Sequence, residues 1–203
     1  MSAPVISPEA IRRLAESIAR EMSGQSSNPA SKSAPATAAG DLGDGVFATI
    51  DEAVKAARTA FLALDQLGLQ KRFEIIRAMR DAYRPQVEVL CSAAVEESGL
   101  GRVKDKVLKN LLVLDKTPGP EELIPSAVSG DRGLVLVEPA PFGVIGAITP
   151  VTNPNSTILC NSIGMISAGN SVVFNAHPSA KRISATTVRL LNRAVVAVGG
   201  PPN

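Results

Sequence analysis

With 203 residues, 45% apolar and 20% charged, and a formal charge of +2, the chain reads as a soluble globular protein of one ordinary domain or two small ones, not a fibre, a membrane span or a dedicated phosphate-backbone binder. Aromatics make up only 3%, without a Trp, which leaves little from which to build stacking platforms for single-stranded nucleic acid. One histidine, His177, and two cysteines, Cys91 and Cys160, exclude zinc sites of four cysteines or of two cysteines and two histidines, exclude a disulfide-stapled scaffold, and fit a reducing cytoplasm.

Residues 7–24 open with Ser7, Pro8 and Glu9, a helix-start signature, and close at Gly24. Between them Ile11, Leu14, Ile18 and Met22 form one apolar stripe at helical spacing, with Arg12, Arg13, Glu16, Arg20 and Glu21 on the other faces. These charges stand where an export signal needs its apolar region. Residues 25–45, rich in Ser, Ala, Pro, Gly and Thr, read as a disordered linker. A helix of about four turns on a flexible tether is not stable alone in water and needs a surface for its stripe. It can pack back on its own domain or dock to a partner, and the length of the tether favours docking.

Thr49 and Glu52 form a capping box that opens a helix through about residue 67, with Val54, Ala57, Phe61 and Leu64 on its buried face. Gly68 breaks it. A second helix carries Phe73, Ile76 and Met79 inward and Lys71, Arg72, Arg77 and Arg80 mostly outward. Pro85 opens a third, in which Val87, Leu90, Cys91, Ala94 and Val95 keep the period until Ser98 and Gly99, so Cys91 reads as core. A fourth, over 103–116, places Val107, Leu111 and Leu114 at helical spacing before Pro118, Gly119 and Pro120 end it.

From Gly133 the pattern changes. Residues 134–137 are a short β-type run, Pro139 and Pro141 interrupt, and 142–148 is a second apolar run. A helix over about 155–167, a Gly169-Asn170 turn, a strand over 171–174 and a last helix from Pro178 and Ser179 to about 196 give the order that a βαβ unit in a parallel sheet requires. The fold class is therefore α/β. The sequence stops at Asn203 where a further parallel strand is expected, so the sheet reads as unfinished and the polypeptide as truncated.

In an open parallel sheet ligands bind beyond the carboxyl ends of the strands, so loops 149–155 and 175–179 are expected to face one crevice. The first offers Thr149, Thr152, Asn153 and Asn155 beside Pro150 and Pro154, and the second holds His177, the only imidazole. Asn and Thr flanking Pro are also ordinary cap and turn residues, and a lone loop histidine is often merely solvated or hydrogen-bonded, so spacing leaves both readings open. Gly143 and Gly146 sit in a strand run and Gly40, Gly43 and Gly45 follow no strand, so none of them makes a dinucleotide fingerprint.

Three ordered stretches carry a resemblance: Glu138-Pro139-Ala140-Pro141-Phe142-Gly143-Val144-Ile145-Gly146, Thr149-Pro150-Val151-Thr152-Asn153-Pro154, and Ala168-Gly169-Asn170-Ser171-Val172-Val173-Phe174. Together they resemble the aldehyde dehydrogenase superfamily, and within it the CoA-acylating acetaldehyde and propionaldehyde dehydrogenases of bacterial microcompartments. Glu97-Ser98-Gly99-Leu100-Gly101 with Asp105-Lys106 and Lys109-Asn110, Thr117-Pro118-Gly119, and Asn175-Ala176-His177-Pro178-Ser179-Ala180-Lys181 support that branch. The likeness covers about residues 46–203.

The resemblance implies a Rossmann-like cofactor domain, a catalytic domain and a small β oligomerisation arm. On that pattern 1–24 is a helix that docks to a microcompartment shell protein and 25–45 its linker. Residues 46–132 are the N-terminal helical part of the cofactor domain, 133–140 a strand of the arm, and 141–203 the first half of the NAD- and CoA-binding domain. It further implies a homo-oligomer, located in the cytoplasm inside a microcompartment. The implied reaction oxidises a short-chain aldehyde through a cysteine thiohemiacetal, hydride transfer to NAD, and a thioacyl-enzyme resolved by CoA. By resemblance Ile148, Thr149, Pro150, Thr152 and Asn153 serve the nicotinamide end, with Thr152 standing where hydrolytic relatives carry an oxyanion-holding asparagine and Asn153 next to it. Asn175, His177 and Pro178 serve the adenosine end shared by NAD and CoA. The family's nucleophilic cysteine is expected beyond residue 203. Cys160, among Ile158, Leu159 and Ile163, reads as a buried structural thiol, and the polypeptide alone as inactive. The competing reading is a non-catalytic cargo module with a degenerate nucleotide-binding half.

Overall fold

The structure, a computed structural model, describes residues 42–203. The proposed docking segment 7–24 and most of the linker lie outside the described residues. Residues 42–45, expected to belong to that linker, instead form a turn in which the Leu42 N–H donates to the Val46 carbonyl at 2.8 Å. Arg193 ties the turn down, its guanidinium 2.6 Å from the Asp44 carboxylate. The folded unit thus reaches upstream of residue 46.

Helix α1, Ile50–Asp65, begins at the expected capping box: the Glu52 N–H donates to Thr49 Oγ1 at 3.3 Å and the Thr49 N–H to Glu52 Oε2 at 3.2 Å. Its buried face is Ala57, Ala60 and Leu64. Val54 stays exposed and Phe61 only partly covered, its ring 5.4 Å from the Arg58 guanidinium carbon. The face is rotated from the expected one because two alanines let the helix lie close on the sheet, where larger side chains would hold it off.

Helix α2, Leu69–Tyr83, buries Ile75, Ile76, Met79 and Tyr83, while Phe73 is turned toward solvent. A 3₁₀ turn at Arg84–Gln86 accommodates Pro85 and leads into α3, Val87–Ser98, so the third helix starts two residues later than expected. Helix α3 buries Val87, Leu90, Cys91 and Ala94 and ends on Gly99, whose φ of 68° is the left-handed conformation that glycine adopts without a Cβ clash. Helix α4, Val103–Lys116, buries Lys106, Asn110 and Leu114 at successive i+4 steps, with Val107 and Leu111 only flanking the core.

Three cations of α2 expected to face outward are engaged elsewhere. Arg80 donates to the Thr117 carbonyl at 2.6 Å, at the end of α4. Arg72 donates to the Ser167 carbonyl at 3.0 Å, and Lys71 to the Val198 carbonyl at 3.1 Å. The latter two residues close helices α5, Pro154–Ser167, and α6, Lys181–Ala197. Helix C-termini leave carbonyls unpaired and carry the negative end of the helix dipole, so a cation there is held by charge and hydrogen bond together.

Strands β1, Ser126–Gly130, and β2, Gly133–Val137, form an antiparallel hairpin with Gly130 opposite Gly133. Every residue of both strands is exposed. Only β2 is visible in the sequence pattern, so the hairpin begins within the segment expected to be helical; β1, with two serines and a glycine, is a strand because β2 pairs with it. Strand β3, Val144–Thr149, pairs in parallel with β4, Ser171–Ala176, and α5 connects them as expected. Strand β3 starts at Val144 and not at 142 because Asn170 Oδ1 accepts the N–H groups of Phe142 (2.6 Å) and Gly143 (3.0 Å) before the ladder begins. No described helix is long and apolar enough to cross a membrane.

The core lies between α2, α3, α5 and α6, around Ile75, Met79, Tyr83, Ile158, Ile163 and Ile183. Glu97, near the end of α3, accepts the N–H groups of Arg182 (2.8 Å) and Ile183 (2.7 Å) at the start of α6, which has no side-chain cap of its own. A carboxylate there satisfies two otherwise unpaired donors and meets the positive end of the dipole. Glu97→Ala is expected to lower the unfolding free energy by about 1–2 kcal/mol in a urea titration, with Glu97→Gln in between. An unshifted midpoint would show that the cap contributes nothing.

Candidate functional site

The parallel register sets Ile148 opposite Asn175 and Thr149 opposite Ala176, so the carboxyl ends of β3 and β4 and the loops that leave them lie side by side. Thr149 is buried, and its hydroxyl is 3.4 Å from the Asn175 carbonyl to which it donates. The pleat turns Ile148 the other way, leaving it 85% exposed. On the same strand a Cβ added to Gly146 would meet nothing within 4 Å, so the face carrying Gly146 and Ile148 is open. Pro150, Thr152, Asn175 and Pro178 are exposed, and Asn153 and His177 half-buried.

Among the described residues the His177 ring is hydrogen-bonded rather than simply solvated, and its one partner is a backbone N–H. Its Nδ1 accepts the Ser179 N–H at 3.1 Å and caps the 3₁₀ turn Pro178–Ala180. In the neutral ring that acceptor role places the proton on Nε2, which makes His177 a donor toward the loop surface.

Loop 149–155 is held from below by α4. Lys106, 4% exposed, donates from Nζ to the Thr152 carbonyl at 2.7 Å, and Lys109 donates from Nζ to Asn153 Oδ1. Burial and the neighbouring Lys109 ammonium push the Lys106 amine below the usual lysine range. Lys106 is in turn fixed by its own helix: Asn110 Nδ2 donates to the Lys106 carbonyl at 2.7 Å, and Tyr83, fully buried, donates from its hydroxyl to Asn110 Oδ1 at 2.7 Å. Asn155, also buried, lies 3.9 Å from Cys91 Sγ. Burial raises the Tyr83 phenol and, likewise, the Cys91 thiol, so both stay neutral and add no unpaired charge beneath the loop.

The structure thus gathers the sequence-predicted residues into two groups, Thr149 with Asn175 across the strand ends, and Thr152 with Asn153 over the two lysines. Among the described residues no hydrogen bond joins either group to His177. Sequence reasoning assigned no role to Tyr83 and gave Lys106, Lys109 and Asn110 none beyond a motif. The available signal was Lys106, Asn110 and Leu114 at i+4 spacing, but two polar residues in such a series read as a solvent face.

The aldehyde dehydrogenase family profile matches residues 20–203. The chain belongs to the aldehyde dehydrogenase family. A propionaldehyde dehydrogenase from the Clostridium phytofermentans fucose utilisation bacterial microcompartment is similar at 49% identity and a TM-score of 0.77, over 79% of this chain and 37% of that one. The Rhodopseudomonas palustris propionaldehyde dehydrogenase, solved with bound propionyl-CoA, is similar at 47% identity and a TM-score of 0.77, over 87% of this chain and 39% of that one. An acetylating acetaldehyde dehydrogenase of Salmonella typhimurium is 47% identical over 78% of this chain and 34% of its own length. This aldehyde dehydrogenase chain therefore spans between about a third and two fifths of the relatives it matches.

Aldehyde dehydrogenase chemistry makes the two thiols worth separating. Cys91 is fully buried, whereas Cys160 is half-buried rather than fully covered as expected, with Thr117 Oγ1 3.7 Å from its sulfur. In a titration with Ellman's reagent at mildly alkaline pH, one thiol, Cys160, is expected to react in the folded chain and Cys91 only after denaturation. Rapid labelling of both, with the fold intact by circular dichroism, would contradict the burial of Cys91.

Proposed function

We propose that this chain contributes the cofactor-holding part of an NAD-dependent, CoA-acylating aldehyde dehydrogenase, which converts a short-chain aldehyde such as acetaldehyde or propionaldehyde into its acyl-CoA. The observation that carries this reading is the pair of adjacent strand ends with one open face. Beside Gly146, Ile148 and Pro150 that face suits a flat ring and its ribose, with open space over Gly146 and an exposed apolar side chain at Ile148 to pack against them. The exposed Asn175 amide and the Nε2–H of His177 suit the hydroxyl and phosphate oxygens of an adenosine moiety, the part that NAD and CoA share.

When bound, NAD accepts the hydride that leaves the substrate carbon. Everything else asked of these residues is placement: Thr149 ties the two loops at their roots, and Thr152 and Asn153 present polar groups where the substrate oxygen gathers charge. Neither cysteine of the chain suits the nucleophile, Cys91 being buried with a raised thiol and Cys160 lying along α5 against Thr117. On its own the 203-residue chain therefore binds but does not turn over.

Joining the chain to the remaining part of the Rhodopseudomonas palustris enzyme is expected to restore reduction of NAD by propionaldehyde in the presence of CoA. The unjoined chain should bind CoA without reaction, about tenfold more weakly after His177→Ala, read by calorimetry. A chain that binds neither CoA nor NAD, together with a joined protein that is silent, would favour the non-catalytic cargo module instead.

The hairpin β1–β2 fits the oligomerisation arm, since Val128 and residues 134–137 are between 56% and 70% exposed and its outer strand edges are free to pair with another subunit. Segment 7–24 fits a docking helix for a shell protein, which would place the enzyme in the cytoplasm inside a microcompartment. A fluorescent reporter fused to residues 1–24 is expected to form puncta only when shell proteins are co-expressed; diffuse fluorescence in their presence would sink this assignment.

A further inference from the structure

Asn153 stands at the N-cap position of α5, where an asparagine side chain ordinarily accepts a backbone N–H of the first turn. It does not do so here. Its main-chain carbonyl accepts the Thr157 N–H at 3.0 Å, Pro154 brings no donor to the first position, and the side chain makes no capping bond. Instead its Oδ1 accepts from Lys109 Nζ, a residue of α4 that lies 44 positions earlier in the chain. An ammonium has only donors to offer, so the amide oxygen is the end that must face it, and the NH₂ group is left on the opposite side. Among the described residues that Nδ2 has no acceptor.

We propose that Lys109 is a positioning residue that sets which end of the Asn153 carboxamide faces the crevice, leaving Nδ2–H as the donor for the oxygen of the bound aldehyde or thioester. The proposal rests on the reading that loop 149–153 faces the reacting carbonyl. Three features support it. Lys106, one turn before Lys109 on the same face of α4, holds the Thr152 carbonyl, so the main chain leading into Asn153 is tied to α4 without Lys109, and what the Lys109 bond adds is the choice of amide end. Burying Lys106 to hold a single carbonyl is costly, and water could serve that carbonyl as well if its position did not matter. Finally, two ammonium groups beneath one loop favour negative charge on an oxygen above it, where a donor fixed in advance needs no reorganisation.

If the Lys109–Asn153 bond merely fastened α4 to the loop, any partner that held Asn153 in place would serve, whichever end of the amide it engaged. Lys109→Glu separates the two roles, because a carboxylate can accept from Nδ2 and keep the fastening while reversing the amide. In the 203-residue chain, with the Asn153 carboxamide resonances assigned through Asn153→Asp, the Nδ2 protons are expected to exchange with water as a free amide does. They should be protected several-fold in Lys109→Glu and unprotected again in Lys109→Arg, which still donates. Thermal stability should be the same in all three. In the joined protein described above, Lys109→Glu is expected to lower kcat by about a hundredfold while leaving the KM for CoA in place, and Lys109→Arg to retain activity. Protected Nδ2 protons in the unsubstituted chain, or equal exchange in the Glu variant, would overturn the proposal. So would a Glu variant with unchanged kcat. A joined protein inactive in every form would count against the acyl-transfer reading, and the exchange measurement would still decide the orientation of the amide.

Discussion

The ends of helices α4, α5 and α6 all close on one element. Each has carbonyls that its own backbone cannot pair, and each meets a cation from α2: Arg80, Arg72 and Lys71. Hydrogen bonds to a charged group contribute about 1.5–3 kcal/mol apiece. Because the three cations project from a single rigid helix, they fix the three helix ends relative to one another. The apolar core around Ile75, Met79 and Tyr83 fills the space that these bonds define. Gly169, just past the end of α5, belongs to the same arrangement. Its φ is +86°, and an added Cβ would lie 3.1 Å from the Arg72 guanidinium, so the turn into β4 and the capping cation share one small space.

What this frame positions is the pair of strand ends. Helix α4, fastened at its carboxyl end by Arg80, brings Lys106 and Lys109 under loop 149–155, while Glu97 on α3 secures the start of α6 just beyond loop 175–179. Both loops at the strand ends are thus anchored by charged side chains from the helical half of the chain. The helices before the first parallel strand are therefore part of the site's support and not simply a cover for its sheet.

Much of this was legible in the sequence where a local rule decides the outcome. The capping box of Thr49 and Glu52 marks where α1 starts, the prolines after Lys116 mark where α4 ends, and the Gly169-Asn170 turn announces β4. That loops 149–155 and 175–179 leave adjacent strand ends was likewise legible from the order of strand and helix alone. What stayed hidden depends on partners distant in the chain. Strand β1 exists only through its pairing with β2, and the outward cations of α2 acquire their role from carbonyls dozens of residues away. Lys106 and Asn110 look like surface residues until Tyr83 and loop 149–155 close over them. Periodicity reports which face of a helix is apolar, and it is silent about a polar face that is buried because every group on it is paired.

The chain contains one tyrosine and no tryptophan, and that tyrosine is Tyr83. Its phenol donates to Asn110, whose amide donates to the Lys106 carbonyl, and the Lys106 ammonium holds the Thr152 carbonyl at the surface. The sole strong intrinsic fluorophore of these 203 residues is therefore wired, through three hydrogen bonds, to the loop that would meet a ligand. Its emission is free of any brighter background, so a shift of loop 149–155 can be followed optically in the unlabelled polypeptide.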